Sequence, residues 1–141
     1  MSEEQSCQAA LHCMEHDPFA QYLGTEIEEI RPGYARASLQ IEQRHLNFVK
    51  IPHGAVVFAV ADQAFAAASN TRGKVSVALN VSISFFAPAA EGSKLIAEAV
   101  EKNCGRRTSS YDVTVRDDQG RTLASFQGLA FRLEKNVADV V

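Results

Sequence analysis

Several residue types are scarce in this chain. Its 141 residues include no tryptophan, four prolines and three cysteines. The cysteines Cys7, Cys13 and Cys104 are odd in number and lack C-x-x-C spacing, which argues against a disulfide framework or a cysteine-held zinc ion. The longest apolar run, residues 55–61, is far too short to cross a membrane. We therefore expect free thiols, no membrane partner and a reducing, cytoplasmic location.

An excess of positive charge is also missing. The net charge is -3 and the sequence pI is about 5.8. No basic stripe is interleaved with aromatic residues, so nucleic acid is not an expected partner. Glu3 and Glu4 lie where a secretory signal would carry positive charge, so no signal peptide is expected. With 46% hydrophobic residues, the composition is that of one globular domain over residues 1–141. A chain of this length has few residues left to enclose a deep pocket within a single subunit.

The hydrophobic pattern predicts a helix, two strands, a second helix and four further strands. The first helix is expected over residues 6–16, within an N-terminal helical segment of residues 1–17, and residues 19–24 are expected to lead into a strand. Alternating apolar and polar residues predict strands over residues 25–30, 33–41, 77–85, 94–102, 111–116 and 122–133. A bulge is expected at Gly128, and residues 134–141 are expected to form a tail. This order predicts an α+β fold in which an antiparallel sheet wraps against one central helix.

The central helix, expected over residues 54–70, contains a lone acid. It is apolar on every side of a helical wheel, which is typical of a buried helix, and its only interior polar residues are Asp62 and Gln63. Burying a carboxylate costs several kcal/mol unless it is paired, and burial raises its pKa. A backbone amide or a buried arginine would satisfy such an acid, but buried acids are rare. Asp62 is therefore the first candidate catalytic residue.

The start of the same helix offers a second candidate. The first turn of a helix exposes unpaired N–H groups at the positive end of the dipole, and a glycine there lets a carbonyl oxygen approach. His53-Gly54 fits such an oxyanion hole, although Pro-His-Gly is by itself also an ordinary helix start. Gly54 and Asp62 are eight residues apart, about 12 Å along a helix axis. If both act on one carbonyl, Asp62 must come from a second subunit, which predicts a homo-oligomer.

A third candidate lies between two expected strands, where Arg106, Arg107 and Thr108 follow a glycine. Adjacent guanidinium groups with a hydroxyl suit phosphate groups. They form the densest positive spot in an acidic chain, with Lys102 nearby. The alternative is a solvated strand end.

A short zinc-protease pattern occurs near the N-terminus, where His12, Glu15 and His16 match H-x-x-E-H. Zinc would need a third ligand and an enclosing cleft, and this short segment lies near a terminus that is expected to fray. A surface helix end is the favoured interpretation. No metal and no cofactor is expected.

Three segments taken together resemble a known enzyme family. They are residues 47–54 (NFVKIPHG), the Ala61-Asp62 pair in the apolar helix, and residues 81–89 (VSISFFAPA). Over about residues 18–133 the chain resembles the PaaI-like, phenylacetate-type acyl-CoA thioesterases of the hotdog fold. The resemblance implies a sheet wrapped around one long helix and hydrolysis of acyl-CoA thioesters. It also implies a homodimer that commonly pairs into a tetramer.

The resemblance also implies a role for each candidate residue. Asp62 would be the nucleophile or the general base that activates water. The Gly54 N–H would polarise the thioester carbonyl from the partner chain, and Asn47 and His53 match positions that help to place the carbonyl or the water. Residues 106–108 fall where the family's strand-connecting loop meets the CoA phosphates and the pantetheine arm.

Two positions depart from the family pattern. Gln63 follows the acid where a threonine is common, and Ala78 stands where some relatives hold the water with a serine. Ser76, Asn80 and Ser82 are the neighbouring polar residues. The departures leave open whether the acid attacks directly or activates water.

Two other functions are distinguishable by experiment. A hotdog enoyl-CoA hydratase or dehydratase would pair a histidine with an acid, but its D-x4-N-x2-H type of run is missing. A non-catalytic acyl-CoA-binding protein would bind its ligand without turnover. The acyl group itself is not specified, because Phe58, Phe65, Phe85 and Phe86 suit an aryl or a medium-chain pocket equally well.

Overall fold

The fold is built on a six-stranded antiparallel sheet, seen in a computed structural model that describes residues 1–140. The helices and strands are, in chain order, α1 (Glu3–Glu15), α2 (Pro18–Leu23), β1 (Glu26–Arg31), β2 (Tyr34–Gln40), α3 (Gly54–Ser69), β3 (Lys74–Phe85), β4 (Lys94–Cys104), β5 (Thr108–Asp117) and β6 (Thr122–Asn136). Single turns of 3-10 helix cover Gln43–His45, Asn70–Arg72 and Val137–Asp139. The strand order is β1-β2-β4-β5-β6-β3, and every neighbouring pair is antiparallel.

The apolar helix α3 lies against one face of this sheet and forms the centre of the core. Residues at a two-residue spacing face the core and are buried in three strands: Ala35, Ala37 and Leu39 of β2, Leu95, Ala97 and Ala99 of β4, and Tyr111, Val113 and Val115 of β5; β2 also buries Tyr34 and Ser38 on its other face. This two-residue period is what a half-buried strand requires. The predicted α+β fold with one central helix is confirmed. Within residues 1–140, no helix combines the length and apolar character needed to cross a membrane.

A short helix, α2, occupies the residues that were expected to lead into a strand. The Asp17 carboxylate caps it by accepting a hydrogen bond from the Ala20 N–H at 3.1 Å. Pro18 begins the helix and Gly24 ends it with φ 91°. Residues 19–24 do lead into β1, but the helix itself was not predicted, because six residues make fewer than two turns and show no helical period. Only the cap, the proline and the glycine indicate this helix.

Gly128 does not form the predicted bulge. It pairs in register with Val81 on β3, and the shift in the β3–β6 ladder falls between Ala78 and Asn80. A Cβ atom added at Gly128 would lie 2.6 Å from the Phe65 ring. The glycine is therefore required by the close approach of α3 to the sheet.

The C-terminal segment is more ordered than the expected tail of residues 134–141. β6 continues to Asn136, and the next residue, Val137, is buried. The Val137 N–H donates to the Gly73 carbonyl at 2.9 Å, which ties the end of β6 to the connection between α3 and β3. Val141 lies outside the described residues. At the other end, α1 falls within the expected helical segment of residues 1–17.

Strand β3 forms one edge of the sheet and exposes apolar side chains. It pairs with β6 alone. Val77, Leu79 and Phe85 on this strand are 49%, 56% and 53% exposed. An edge strand of 12 residues with exposed apolar side chains is a surface on which another chain can pair.

Candidate active site

The N-terminus of α3 presents one unpaired main-chain donor. His53 caps the helix, because its Nδ1 accepts from the Ala55 N–H at 3.0 Å; this places the ring proton on Nε2. The His53 carbonyl accepts from the Val56 N–H at 2.9 Å. The Gly54 N–H has no acceptor within residues 1–140. A free donor therefore lies at the positive end of the helix dipole.

Asn47 organises the loop that precedes this helix. Its Oδ1 accepts from the N–H groups of Val49 at 3.0 Å and Ile51 at 3.3 Å. Within the loop Lys50 adopts φ 66°, a backbone conformation that persists only where surrounding contacts hold it. Since the Asn47 oxygen is committed to the loop, its Nδ2 is the group that can donate to a ligand.

A cavity of about 320 Å³ opens beside Gly54 and is here called the Gly54 cavity. Its lining is mainly apolar: Asn47, Ile51, Pro52, Gly54, Val57 and residues 85–89. The Phe85 ring lies 3.6 Å from the position that a Cβ atom on Gly54 would occupy. The structure thus brings two of the expected site residues, Asn47 and Gly54, to one cavity, with His53 capping the helix next to them.

Asp62 lies in a different cleft, of about 250 Å³, here called the Asp62 cleft. Its lining is Asp17, Phe19, Ala20, Leu23, Thr25, Ala55, Phe58, Ala59, Asp62, Gln63 and Ala66. The Asp62 carboxylate is half-buried and has no hydrogen-bond or ion-pair partner within residues 1–140. Burial, followed by the nearby carboxylate of Asp17, raises the pKa of Asp62. A carboxylate with these properties suits a general base or a nucleophile.

The two candidate centres are separate within one chain. The Gly54 cavity and the Asp62 cleft share no lining residue. Gly54 and Asp62 are eight positions apart on α3, which is roughly 12 Å along the helix axis. A single carbonyl group cannot contact the Gly54 N–H and the Asp62 carboxylate of the same chain.

The arginine turn, residues 105–107, lies at the far end of the sheet. It joins β4 to β5, as predicted, and both arginine side chains are exposed. The next residue, Thr108, lies across β6 from Val77 near the start of β3. Phe85, in the Gly54 cavity, is eight residues further along β3, roughly 26 Å away. Within one chain the arginine turn and the Gly54 cavity are therefore not brought together.

Helix α2 and Asp17 are the features of the cleft that sequence reasoning missed. Phe19, Ala20 and Leu23 of α2 form one wall of the Asp62 cleft. Asp17, the N-cap of α2, is the second carboxylate in that cleft. An Asp-Pro start and a glycine stop were the available sequence signals.

The four phenylalanines considered for an acyl pocket occupy three places. Phe58 lines the cleft beside α2, whereas Phe85 and Phe86 line the cavity at the N-terminus of α3. Phe65 is 2% exposed and belongs to the core. The expected pocket role of Phe65 is wrong because its side of α3 faces the sheet.

The polar residues that share the cleft with Asp62 are Asp17, Thr25 and Gln63. Gln63 lines the Asp62 cleft, and its Nε2 donates to the Met14 Sδ at 3.5 Å. Ala78, which stands in place of the family's serine, does not line this cleft, and neither do its polar neighbours on β3, Ser76, Asn80 and Ser82. Within residues 1–140, a β3 hydroxyl therefore does not assist the Asp62 of its own chain.

The two histidines of the zinc-protease pattern contact each other at the C-terminal end of α1, where His16 is the C-cap. The His16 Nδ1 donates to the His12 carbonyl at 2.8 Å, and the two ring centroids are 4.3 Å apart. No group of three or more His, Cys, Asp or Glu side chains within residues 1–140 is arranged to hold a metal ion.

Comparison with known proteins identifies the family. The thioesterase superfamily profile matches residues 50–124. The acyl-coenzyme A thioesterase PaaI of Escherichia coli is 34% identical over 123 residues, which are 86% of this chain and 88% of that protein.

Solved structures agree with this assignment. The E. coli PaaI protein from the phenylacetic acid degradation operon superposes with a TM-score of 0.91 at 32% identity, covering 96% of this chain and 99% of that one. A variant of the phenylacetic acid degradation protein PaaI from Thermus thermophilus gives a TM-score of 0.80 at 41% identity, covering 83% and 100%. The expected hotdog fold is confirmed. The chain belongs to the thioesterase superfamily, within its PaaI-like family, and is a thioester hydrolase.

Proposed function

We propose that this protein hydrolyses acyl-CoA thioesters to the free acid and CoA, and that each active site combines Asp62 of one subunit with the Gly54 N–H of the other. One observation carries the proposal: an unpartnered, half-buried carboxylate and an unpaired main-chain donor lie in separate cavities of one chain. The name of the E. coli relative, an acyl-coenzyme A thioesterase, supports CoA as the leaving group.

Pairing through the β3 edges supports a site of this kind. Helix α3 begins beside Phe85 at the end of β3 and finishes near its start, where the Asn70 Oδ1 accepts from the Ser76 N–H at 2.9 Å. If two β3 strands pair antiparallel about a two-fold axis, the start of one α3 approaches the end of the other. Gly54 of one subunit then lies near Asp62 and the arginine turn of its partner. A homodimer is the smallest assembly with a complete site.

The chemistry follows from the donors and the base. The Gly54 N–H, with the Asn47 Nδ2 and the His53 Nε2–H nearby, stabilises the negative charge that develops on the thioester oxygen. In one route Asp62 takes a proton from water while the water oxygen bonds to the acyl carbon; the carbon–sulfur bond then breaks and the CoA thiolate receives a proton. In the other, the Asp62 carboxylate attacks the acyl carbon, the carbon–sulfur bond breaks and the CoA thiolate leaves and takes up a proton; water then hydrolyses the resulting anhydride, which releases the acid and restores the Asp62 carboxylate. Both routes require ionised Asp62.

The arginine turn supplies the phosphate contacts. Arg106 and Arg107 are exposed and have no ion-pair partner within residues 1–140, whereas the nearby Lys102 is paired with Asp112 at 3.2 Å. Two free guanidinium groups followed by the Thr108 hydroxyl suit the phosphates and the pantetheine arm of CoA.

The first test is a hydrolysis screen over aryl, short-chain and long-chain acyl-CoA esters with the wild type and Asp62→Asn. We expect turnover of the best substrate to fall by at least ~10²-fold, the usual scale for losing a general base, with an unchanged circular dichroism spectrum. Asp118→Asn, which alters an exposed turn carboxylate, is the matched control. Near-normal turnover by Asp62→Asn would overturn the mechanism. Reversible hydration of an enoyl thioester, or tight binding without turnover, would overturn the activity.

The second test addresses the two-subunit site. Chains carrying Asp62→Ala are mixed with chains carrying Gly54→Pro, each inactive alone. Random mixing makes half of the dimers hybrid with one intact site each, so about one quarter of wild-type activity should return. Absence of rescue, with hybrid dimers shown by native mass spectrometry, would contradict the shared site.

A further inference from the structure

Arg132, on β6, lies beneath the arginine turn and contacts its main chain at three points. Its Nη1 donates to the Gly105 carbonyl at 2.6 Å and to the Arg106 carbonyl at 3.5 Å. Its own main-chain N–H donates to the Arg107 carbonyl at 2.7 Å. Three successive carbonyl oxygens of the turn are thus directed towards a single residue.

The main-chain N–H donors of the two turn arginines, unlike the carbonyls, are left unpaired. The main-chain N–H groups of Arg106 and Arg107 have no acceptor within residues 1–140. Unpaired main-chain N–H groups in a turn are donors that an anion can use. The Arg132 contacts therefore favour the arrangement of the turn that an anionic ligand requires.

The unpaired positive charges around the turn also favour an anionic ligand. No carboxylate of residues 1–140 forms an ion pair with Arg106, Arg107 or Arg132. The Arg132 Nε is buried and has no hydrogen-bond acceptor. A partly buried guanidinium without an anion is costly to maintain. Arg106 and Arg107 are exposed, but together with Arg132 they place three positive charges around one turn, and a negative ligand would offset their mutual repulsion.

We propose that Arg132 is a positioning residue for CoA: it holds the arginine turn in the conformation that receives the phosphates of the nucleotide, while Arg106 and Arg107 make the contacts. This role rests on the proposed function. It separates recognition of the CoA nucleotide from the chemistry at Asp62 and predicts that Arg132 has no part in the acyl-transfer step.

The test compares two thioesters of the same acyl group, one of CoA and one of N-acetylcysteamine, which lacks the nucleotide. Arg132→Lys keeps the charge but loses the planar fork. We expect it to raise KM for the CoA ester roughly tenfold, the scale of losing hydrogen bonds from a charged group. The value of kcat for that ester, and kcat/KM for the N-acetylcysteamine ester, should stay within about twofold of wild type. Arg31→Lys, at an exposed arginine on β1, is the matched control.

A mutant cycle tests whether Arg132 acts through the turn. In a chain that already carries Arg106→Ser and Arg107→Ser, adding Arg132→Lys should change KM for the CoA ester by less than about twofold, because coupled residues are not additive. If instead Arg132→Lys raises KM in this background by the same factor as in the wild type, the proposal is overturned. An equal loss on both thioesters would also overturn it, as would a silent Arg132→Lys beside a harmful Arg132→Gln, which would show a role of charge alone.

Binding of CoA to the wild-type protein tests the proposal even if no turnover is measurable and the Arg132 variants do not fold. In ¹⁵N-labelled protein, added CoA should shift the Nε–H resonance of Arg132 together with those of Arg106 and Arg107. An unmoved Arg132 signal at saturating CoA would overturn the inference even if thioesters are hydrolysed. A protein that hydrolyses no thioester but shows this shift would disprove the proposed function and leave the positioning role intact.

Discussion

Asp17 and Asp62 line the same cleft, although one caps α2 and the other lies in the middle of α3. The Asp17 carboxylate is held in place by the Ala20 N–H at 3.1 Å. Its negative charge adds to burial in raising the pKa of Asp62. The cap of a short helix thereby influences the proton affinity of the candidate base.

Asp17→Asn should extend the activity of the enzyme to lower pH. Asparagine caps helices about as well as aspartate, so α2 should stay in place while the charge is lost. The pKa of Asp62 then falls towards its ordinary value, and a larger fraction is ionised at a given acidic pH. We expect the acid limb of the profile of kcat/KM against pH to move to lower pH. Glu26→Gln, outside the Asp62 cleft, is the control, and an unmoved limb would contradict the coupling.

Asp62→Asn should stabilise the fold near neutral pH. A carboxyl group whose pKa is raised by folding binds protons more tightly in the folded state, so its contribution to stability falls as pH rises from its unfolded pKa, about 3.9, through the folded value. The variant removes this loss. Its melting temperature should exceed that of wild type at neutral pH, and the difference should vanish below about pH 3.9. A lower melting temperature at neutral pH, at matched protein concentration, would contradict this prediction.

Gly128→Ala should destabilise the core. The added Cβ would lie 2.6 Å from the Phe65 ring, so either the helix or the ring must move. We expect a loss of about 1–3 kcal/mol in the free energy of unfolding, measured with urea, as for other overpacked cores. Ser125→Ala on the same strand is the control, and adding Phe65→Leu should recover part of the loss. Equal stability of Gly128→Ala and wild type would show that the close approach imposes no constraint.

Asn47→Asp and Asn47→Ala should separate the two uses of the Asn47 side chain. Aspartate keeps an oxygen for the N–H groups of Val49 and Ile51 but loses the amide donor. We expect Asn47→Asp to keep the loop intact and lower kcat, whereas Asn47→Ala should also expose the loop to proteolysis. If Asn47→Asp resists proteolysis like the wild type and its kcat is unchanged, Nδ2 has no role in the mechanism.

Much of the architecture could be predicted from periodicity. The alternation in β2 and β5 identified the buried faces, and the apolar character of α3 identified the helix against which they pack. The eight-residue separation of Gly54 and Asp62 already showed that one chain would keep them apart. These features follow from local geometry, which the order of residues determines directly.

Other features depended on contacts between distant segments. Gly128 is explained by the Phe65 ring across the core, and the burial of Val137 by a bond to Gly73. The three carbonyl contacts of Arg132 join residues 25 or more positions apart. Local patterns carry no information on such pairs, and helix α2 was too short to show a period of its own.

The free donor at position 54 belongs to the main chain, and this affects how related sequences should be compared. An alanine there would keep the N–H, and its Cβ would meet Phe85 at an ordinary contact distance of 3.6 Å. A comparison based on residue identity would then count the candidate position as lost, although its hydrogen-bond donor is still present. Proline alone among the standard residues would remove it. What the proposed oxyanion hole needs at this position is thus a backbone amide aimed by a helix start, and a related sequence with alanine here would keep that donor.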